Sequence, residues 1–202
     1  MVVVVSAAVE GLVDEAVIKS LIAEAGAVTG QVYGKRGKPF LRQSIGGYNN
    51  SAKFRPWIVL VDLDQDAACA PELCQKWLAA KAAKLCFRVA VRAVEAWLLS
   101  DRESIAKFLS VSISLIPLDP ESETNPKKVM VSLAAKSKRR SIREDMVPRP
   151  ESGRSVGPAY TSRLIEFIQS PLWRPTIAAE RSQSLRRCRM CLECLVGSEL
   201  PK

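Results

Sequence analysis

Carboxylates follow the most apolar segment of the chain. Residues 58–66 read IVLVDLDQD, so a buried-strand pattern leads directly into Asp62, Asp64 and Asp66. Because side chains two residues apart on extended backbone point the same way, Asp62 and Asp64 can converge on one point. Close carboxylates repel each other unless a proton or a cation compensates them. Oxygen ligands and incomplete protein coordination suit Mg²⁺ or Mn²⁺, so the motif predicts a site for one or two such ions.

Two other segments carry acids at comparable places. Glu10 follows the first apolar run, and Asp14 lies four residues later, on the same face of the helix that EGLVD opens. Glu95 begins a later helix. Each acid alone is also typical of a favourable first-turn charge, and DLDQD alone is typical of a solvated loop. Together they favour a divalent-metal site at one edge of the sheet, with Glu10, Asp14, Asp62, Asp64 and Glu95 as the candidate ligands.

The chain contains no histidine. This excludes Ser-His-Asp and Cys-His catalysis, as well as any histidine general base. An enzyme with this composition would depend on carboxylates, lysines or a metal ion.

The elements that must position these acids alternate along the first 110 residues. Apolar, β-branched runs at 2–6, 28–33, 57–61 and 85–91 predict strands, and helical spacing follows each of them. The expected helices include a short one over 40–45 and longer ones over 94–109 and 175–195. This alternation predicts an α/β fold, an open sheet of about four mainly parallel strands with helices on both faces. Ligands bind such sheets beyond the carboxyl ends of the strands, where the acids lie. We expect residues 1–110 to form this core and residues 111–202 to form a basic loop and a C-terminal helical extension on the same domain.

The net charge of +9 arises in the last third of the chain. Residues 127–202 hold 16 Lys and Arg against 7 Asp and Glu, whereas residues 1–126 hold 14 of each. Basic surfaces attract polyanions, although a solvated, mobile segment has the same composition. The candidate nucleic-acid-binding residues are Lys35, Arg36 and Lys38 after the second strand and the cluster Lys136, Lys138, Arg139, Arg140 and Arg143.

No run approaches the roughly 20 apolar residues of a membrane span, and the N-terminus does not resemble a signal peptide. We therefore expect a cytoplasmic protein with no membrane partner and with free thiols. Cys188, Cys191 and Cys194 have the spacing C-x2-C-x2-C, but a fourth ligand is not apparent. On a helix these cysteines pack as small apolar residues, so no zinc is expected.

The segments VVVVSAAVEGLVDEAVIKSLI and IVLVDLDQD resemble the Toprim domain, the metal-binding α/β module of topoisomerases, primases and the overcoming-lysogenization-defect nucleases. EGLVD is closer to the nuclease branch. VRAVEAWLLSD, VGPAYTSRLIEFI and AAERSQSLRRC are similar to a bacterial Toprim-like family of unknown function, often encoded beside ATPases. The resemblance implies that Glu10 is a metal ligand or general acid/base, that Asp62 and Asp64 are ligands, and that Asp14 supports a second ion. Glu10, Asp62 and Asp64 are then the expected catalytic residues, and Asp66 is peripheral.

The resulting hypothesis is Mg²⁺- or Mn²⁺-dependent cleavage of nucleic-acid phosphodiesters, in DNA or RNA, as part of a bacterial defence or repair system. The chain has no Walker phosphate loop, so any ATPase would be a separate subunit. Two alternatives remain open. One is a non-catalytic Toprim-like subunit that binds a partner or nucleic acid without cutting. The other is a haloacid-dehalogenase-like phosphatase, which also uses Asp-x-Asp, but after its first strand rather than its third.

Overall fold

A computed structural model describes residues 2–199 and contains one parallel sheet. The strands are β1 (Val4–Val9), β2 (Val28–Gly34), β3 (Trp57–Asp62) and β4 (Leu85–Ala90). Their order across the sheet is β2-β1-β3-β4. The α/β prediction with about four parallel strands is therefore confirmed.

Ten α-helices accompany the sheet within the described residues. They are α1 (Leu12–Glu24), α2 (Lys38–Ser51), α3 (Ala70–Trp77), α4 (Val94–Ser100), α5 (Arg102–Leu109), α6 (Pro126–Ala135), α7 (Arg140–Met146), α8 (Tyr160–Gln169), α9 (Pro175–Arg181) and α10 (Gln183–Gly197). Short 3₁₀ turns lie at Ile113–Leu115 and Pro120–Ser122. No helix in residues 2–199 is long and apolar enough to cross a membrane.

The described residues group into two compact units. The first extends to Val91 and resumes at Ser184, so it holds the sheet, α1 to α3 and almost all of α10. The second runs from Arg92 to Gln183 and is helical. This division lies at Val91, whereas the sequence pattern placed a boundary near residue 110.

The core of the first unit fixes α2 on the sheet. Leu41 and Ile45 of α2 are buried in the same apolar cluster as Val59 and Val61 of β3. The ring of Trp57 also stacks on Tyr48 and on Tyr33, with centroids 5.3 Å apart in both pairs. Each such buried aliphatic side chain contributes about 1.5–3 kcal/mol. The position of the N-terminus of α2 is therefore set by a rigid core.

Strand order determines where a ligand can enter this sheet. The chain passes from β1 to β2 on one side and then returns to place β3 on the other side of β1. In doubly wound sheets the crevice lies at this reversal, outside the carboxyl ends of the two strands. Here those ends are Val9 and Asp62.

Several helices differ from the predicted ones because polar side chains interrupt them. The helix predicted over 94–109 is split at Asp101, which is fully buried and accepts hydrogen bonds from Ser104 N and from the Arg174 guanidinium. The helix predicted over 175–195 is likewise split at Ser182. Helix α2 is longer than the short helix expected over 40–45, and α7 was not predicted.

The cysteines differ in part from the expected free thiols. Cys86 of β4 and Cys191 of α10 form a disulfide within the first unit. Cys188 is buried and Cys194 is exposed, so the three cysteines of α10 do not share one environment. The spacing C-x2-C-x2-C thus contributes one covalent link between helix and sheet.

Candidate functional site

Glu10 joins the carboxyl ends of the two central strands. It follows β1 directly, and its Oε1 accepts a hydrogen bond from the backbone N–H of Asp62 at 2.8 Å. Burial raises the pKa of Glu10, and this effect outweighs the opposing influence of the Asp62 N–H and of Lys38. Glu10 therefore contacts the backbone of Asp62, and the expected convergence of the two carboxylates stays a prediction.

The loop between β2 and α2 is tied to the end of β1. Lys35 N donates to Val9 O at 2.8 Å, and Gly37 N donates to Glu10 O at 3.1 Å. Gly34 has φ +85°, and a Cβ there would lie only 2.2 Å from the carbonyl oxygen of Val9. Only glycine fits this close approach. The tied loop brings Lys38, the first residue of α2, within electrostatic range of Glu10.

Glu10, Asp62, Asp64 and Asp66 follow the carboxyl ends of β1 and β3, and we call this group the acidic edge. The Lys38 ammonium contacts two of these acids. Its Nζ lies 2.5 Å from Asp64 Oδ2 and 2.8 Å from Asp66 Oδ2, and its side chain is only 16% exposed. Burial lowers the pKa of Lys38, but the hydrogen bonds to Asp64 and Asp66 and the nearby Glu10 raise it above its usual value. Lys38 therefore stays charged and compensates the acids.

The backbone after β3 is not extended, so that expectation is wrong. Asp64 has φ +47°, in the left-handed region that Asp tolerates better than most residues, and Asp66 N donates to Leu63 O in a turn. The turn places Asp64 and Asp66 on one ammonium. Asp66 thus pairs with Lys38 beside Asp64, and its peripheral place at the metal site stays a prediction.

Asp14 caps the N-terminus of α1. Its side chain is 7% exposed, and its Oδ2 accepts a hydrogen bond from Gly11 N at 2.7 Å. This contact satisfies one of the N–H groups that a helix N-terminus leaves unpaired. The proposed role of Asp14 as a metal ligand stays a prediction beside this capping role.

Glu95 belongs to the second unit and is 2% exposed on α4. Its Oε1 accepts a hydrogen bond from Tyr160 OH at 3.1 Å and lies 3.8 Å from Lys127 Nζ. Burial and the Glu95 carboxylate together raise the pKa of Tyr160, so the phenol keeps its proton and donates. The metal role expected for Glu95 stays a prediction.

Carboxylate oxygens at this edge match Mg²⁺ or Mn²⁺ in chemical type. A cation is already stabilised there, because Asp64 and Asp66 share the Lys38 ammonium. Within residues 2–199, however, no three His, Cys, Asp or Glu side chains are grouped as metal ligands. The oxygen ligands are therefore of the chemical type that binds a divalent ion. In this structure the positive charge beside Asp64 and Asp66 is the Lys38 ammonium.

The predicted nucleic-acid-binding residues fall in both units. Lys35 pairs with Glu15 at 3.2 Å, and the Arg36 guanidinium lies 4.8 Å from the centre of the Phe40 ring. In the second unit, the other cluster spans the end of α6 and the start of α7. There Lys136, Lys138, Arg139 and Arg140 are exposed, whereas Arg143 is partly buried and donates to Ser137 O.

A pocket that the sequence did not indicate adjoins the acidic edge. It measures about 740 Å³ and is lined by Lys38, Pro39, Arg42, Gln43, Asp66, Leu73, Lys76 and Trp77. The i, i+4 spacing of Lys38 and Arg42 was the one available signal, and it becomes informative only once α2 is known to begin at Lys38.

Comparison of the chain with protein-family models, curated proteins and solved structures finds no match. The Toprim resemblance therefore stays an expectation drawn from the motifs. A functional conclusion depends on the side chains at the edge of the sheet.

Proposed function

We propose that this protein cleaves phosphodiester bonds of nucleic acid with Mg²⁺ or Mn²⁺ at the carboxyl ends of β1 and β3. The observation that carries the proposal is the position of Glu10, Asp62 and Asp64 at the reversal of strand order. Ligands of doubly wound sheets bind in that crevice. Acids paired with a single lysine there are poorly explained as solubilising charges, because Glu10 and Lys38 are partly buried.

Glu10, Asp62 and Asp64 would hold the ion, and Asp14 is the further ligand of the first unit that the motifs imply. A divalent ion, when bound, supplies charge that stabilises the phosphate and orients water. Glu10 is suited to accept and return a proton, since burial moves its pKa toward neutral pH. Lys38 would bind a phosphate oxygen when Asp64 turns to the ion.

The basic residues support a polyanionic substrate. Lys35 and Arg36 are exposed in the loop that leads into Lys38, so a strand lying along this loop would meet both cations before the acids. The basic cluster of the second unit is a separate candidate for contacts to phosphates. Such contacts make binding salt-dependent and independent of sequence. A separate ATPase partner is part of the same hypothesis.

The test is cleavage of plasmid, linear DNA and RNA by purified protein in Mg²⁺ or Mn²⁺. We expect Glu10→Gln and Asp62→Asn to lose cleavage by at least about 100-fold, the scale of a lost catalytic group. Glu193→Gln is the matched control, since this acid is 55% exposed on α10 and outside the site.

Three outcomes would contradict the proposal in different ways. Cleavage that survives both substitutions would show that the acids are not catalytic. Binding without cleavage would indicate the non-catalytic subunit. Release of phosphate from small phosphomonoesters, with intact nucleic acid, would indicate the phosphatase.

A further inference from the structure

The pocket beside the acidic edge is built by α2 and α3 of the first unit. Lys38 and Asp66 line the pocket, and they also form an ion pair at the acidic edge. The pocket and the proposed cleavage site are therefore continuous. A molecule bound in the pocket would reach the Lys38 ammonium without crossing any other element.

The pocket is positively charged, and one of its cations is unpaired. Lys38, Arg42 and Lys76 face a single acid, Asp66, among the lining residues. Lys76 pairs with Glu72 at 2.7 Å, whereas Arg42 is exposed and has no acidic partner within residues 2–199. A planar guanidinium binds phosphate through two parallel hydrogen bonds. Arg42 is therefore available for an anion that enters the pocket.

Trp77 supplies an aromatic wall held by the core. It is the last residue of α3 and packs against Phe87, with ring centroids 6.0 Å apart, beside the buried Leu73. Every base has a π-face, so an aromatic wall binds bases without regard to sequence. The exposed amide of Gln43 adds a donor and an acceptor for base edges.

The volume limits what can enter. About 740 Å³ lies within the range of pockets that enclose small ligands, which is roughly 300–1,000 Å³. Unpaired nucleotides fit this space, whereas a base pair inside a stacked duplex cannot present one base to Trp77. Aromatic stacking beside basic side chains is the usual arrangement for single strands.

We propose that this pocket binds one or two unpaired nucleotides of a single-stranded nucleic acid. A base stacks on Trp77, Arg42 and Lys76 bind phosphates, and the strand continues to Lys38 and the acidic edge. This inference rests on the proposed function, because it names the form of nucleic acid that reaches the site.

The test is binding of a fluorescently labelled single strand of about ten nucleotides, measured by anisotropy in EDTA and low salt. The same strand annealed to its full complement, a blunt duplex without unpaired nucleotides, is the competitor. We expect Trp77→Ala and Arg42→Ala each to weaken single-strand binding by at least about fivefold, since each removes a stacking or phosphate contact. Trp77→Phe keeps a ring and should remain within about twofold of the wild type.

Arg55→Ala is the matched control for Arg42→Ala, because Arg55 is an exposed arginine beyond the far end of α2. It removes the same charge and should weaken binding by less than about twofold. Arg42 is exposed, so its variant should fold normally, and Trp77→Phe guards against misfolding of Trp77→Ala.

Wild-type binding by both Trp77→Ala and Arg42→Ala would overturn the inference, as would equal binding of the blunt duplex and the single strand. Because EDTA prevents metal-dependent cleavage, these results do not depend on the proposed function. A protein that binds single strands through this pocket but never cleaves them would refute the nuclease proposal alone.

Discussion

Replacing Lys38 by Met tests whether a divalent ion and the Lys38 ammonium compete for the same carboxylates. The ammonium contacts Asp64 at 2.5 Å and Asp66 at 2.8 Å, and these acids are 57% and 48% exposed. Solvent screens contacts with exposed acids, so each is worth about 0.2–1 kcal/mol. The two together therefore hold the ammonium with about 0.4–2 kcal/mol.

An ion that uses Asp64 breaks one of these two contacts, so about 0.2–1 kcal/mol is subtracted from the affinity of the ion. At about 1.4 kcal/mol per factor of ten, Lys38→Met should bind Mn²⁺ roughly 1.4- to 5-fold more tightly than the wild type. Titration calorimetry at pH 7 and low salt measures the difference.

Lys35→Met is the control, because Lys35 lies in the same loop but pairs with Glu15. It removes one positive charge, as Lys38→Met does, and leaves the Lys38 ammonium in place. Equal Mn²⁺ affinity in the two variants would refute competition at the acidic edge. Weaker binding by Lys38→Met would show that Lys38 supports the ion rather than competes with it.

Three further predictions concern stability. The raised pKa of Glu10 means that the folded state binds the Glu10 proton more tightly than the unfolded state does. This proton therefore contributes to the free energy of unfolding below about pH 4.5, and the contribution is lost as pH rises through the pKa of the folded state. The urea midpoint of Glu10→Gln should therefore rise relative to the wild type between pH 4 and pH 8, and a constant difference would contradict the assignment. Gly34→Ala should lose more stability than Gly26→Ala in urea melts, because a Cβ at Gly34 would collide with the Val9 carbonyl oxygen. Both glycines have positive φ, so both variants share a backbone strain of about 1–2 kcal/mol. Equal losses of stability would refute the collision. Asp101→Asn should cost about 1.5–3 kcal/mol at pH 7, the value of hydrogen bonds to a charged group. The pKa of Asp101 is lowered chiefly because the hydrogen bonds of its guanidinium partner outweigh burial, so this cost should shrink as pH falls below about 3.8, and an undiminished cost at pH 3 would contradict it.

Local patterns were enough to predict the sheet and one pair of acids. Apolar runs of strand length alternate with helical spacing, and in parallel sheets this fixes the strand direction and brings all carboxyl ends to one edge. Glu10 and Asp62 each lie at such an end, so their proximity follows from the alternation. To predict where these two residues lie, it is enough to know the direction of each strand and the residue at which it ends.

Contacts between distant segments could not be read in this way. Lys38 reaches Asp64 and Asp66 because the loop after β2 is bound to the end of β1 and because the chain turns at Asp64. Neither event leaves a periodic signal. The same holds for Trp77 and Arg42, which share a pocket only because α2 and α3 pack beside each other on the sheet.

The sequence by itself determined that acids would lie at the carboxyl edge of a parallel sheet, because that placement depends on short-range periodicity. The tertiary structure alone decided which cation compensates them. It also decided which aromatic and basic side chains surround them, because these depend on the packing of helices far apart in the chain. Asp66 illustrates the difference, since one left-handed residue, Asp64, was enough to bring it onto the Lys38 ammonium.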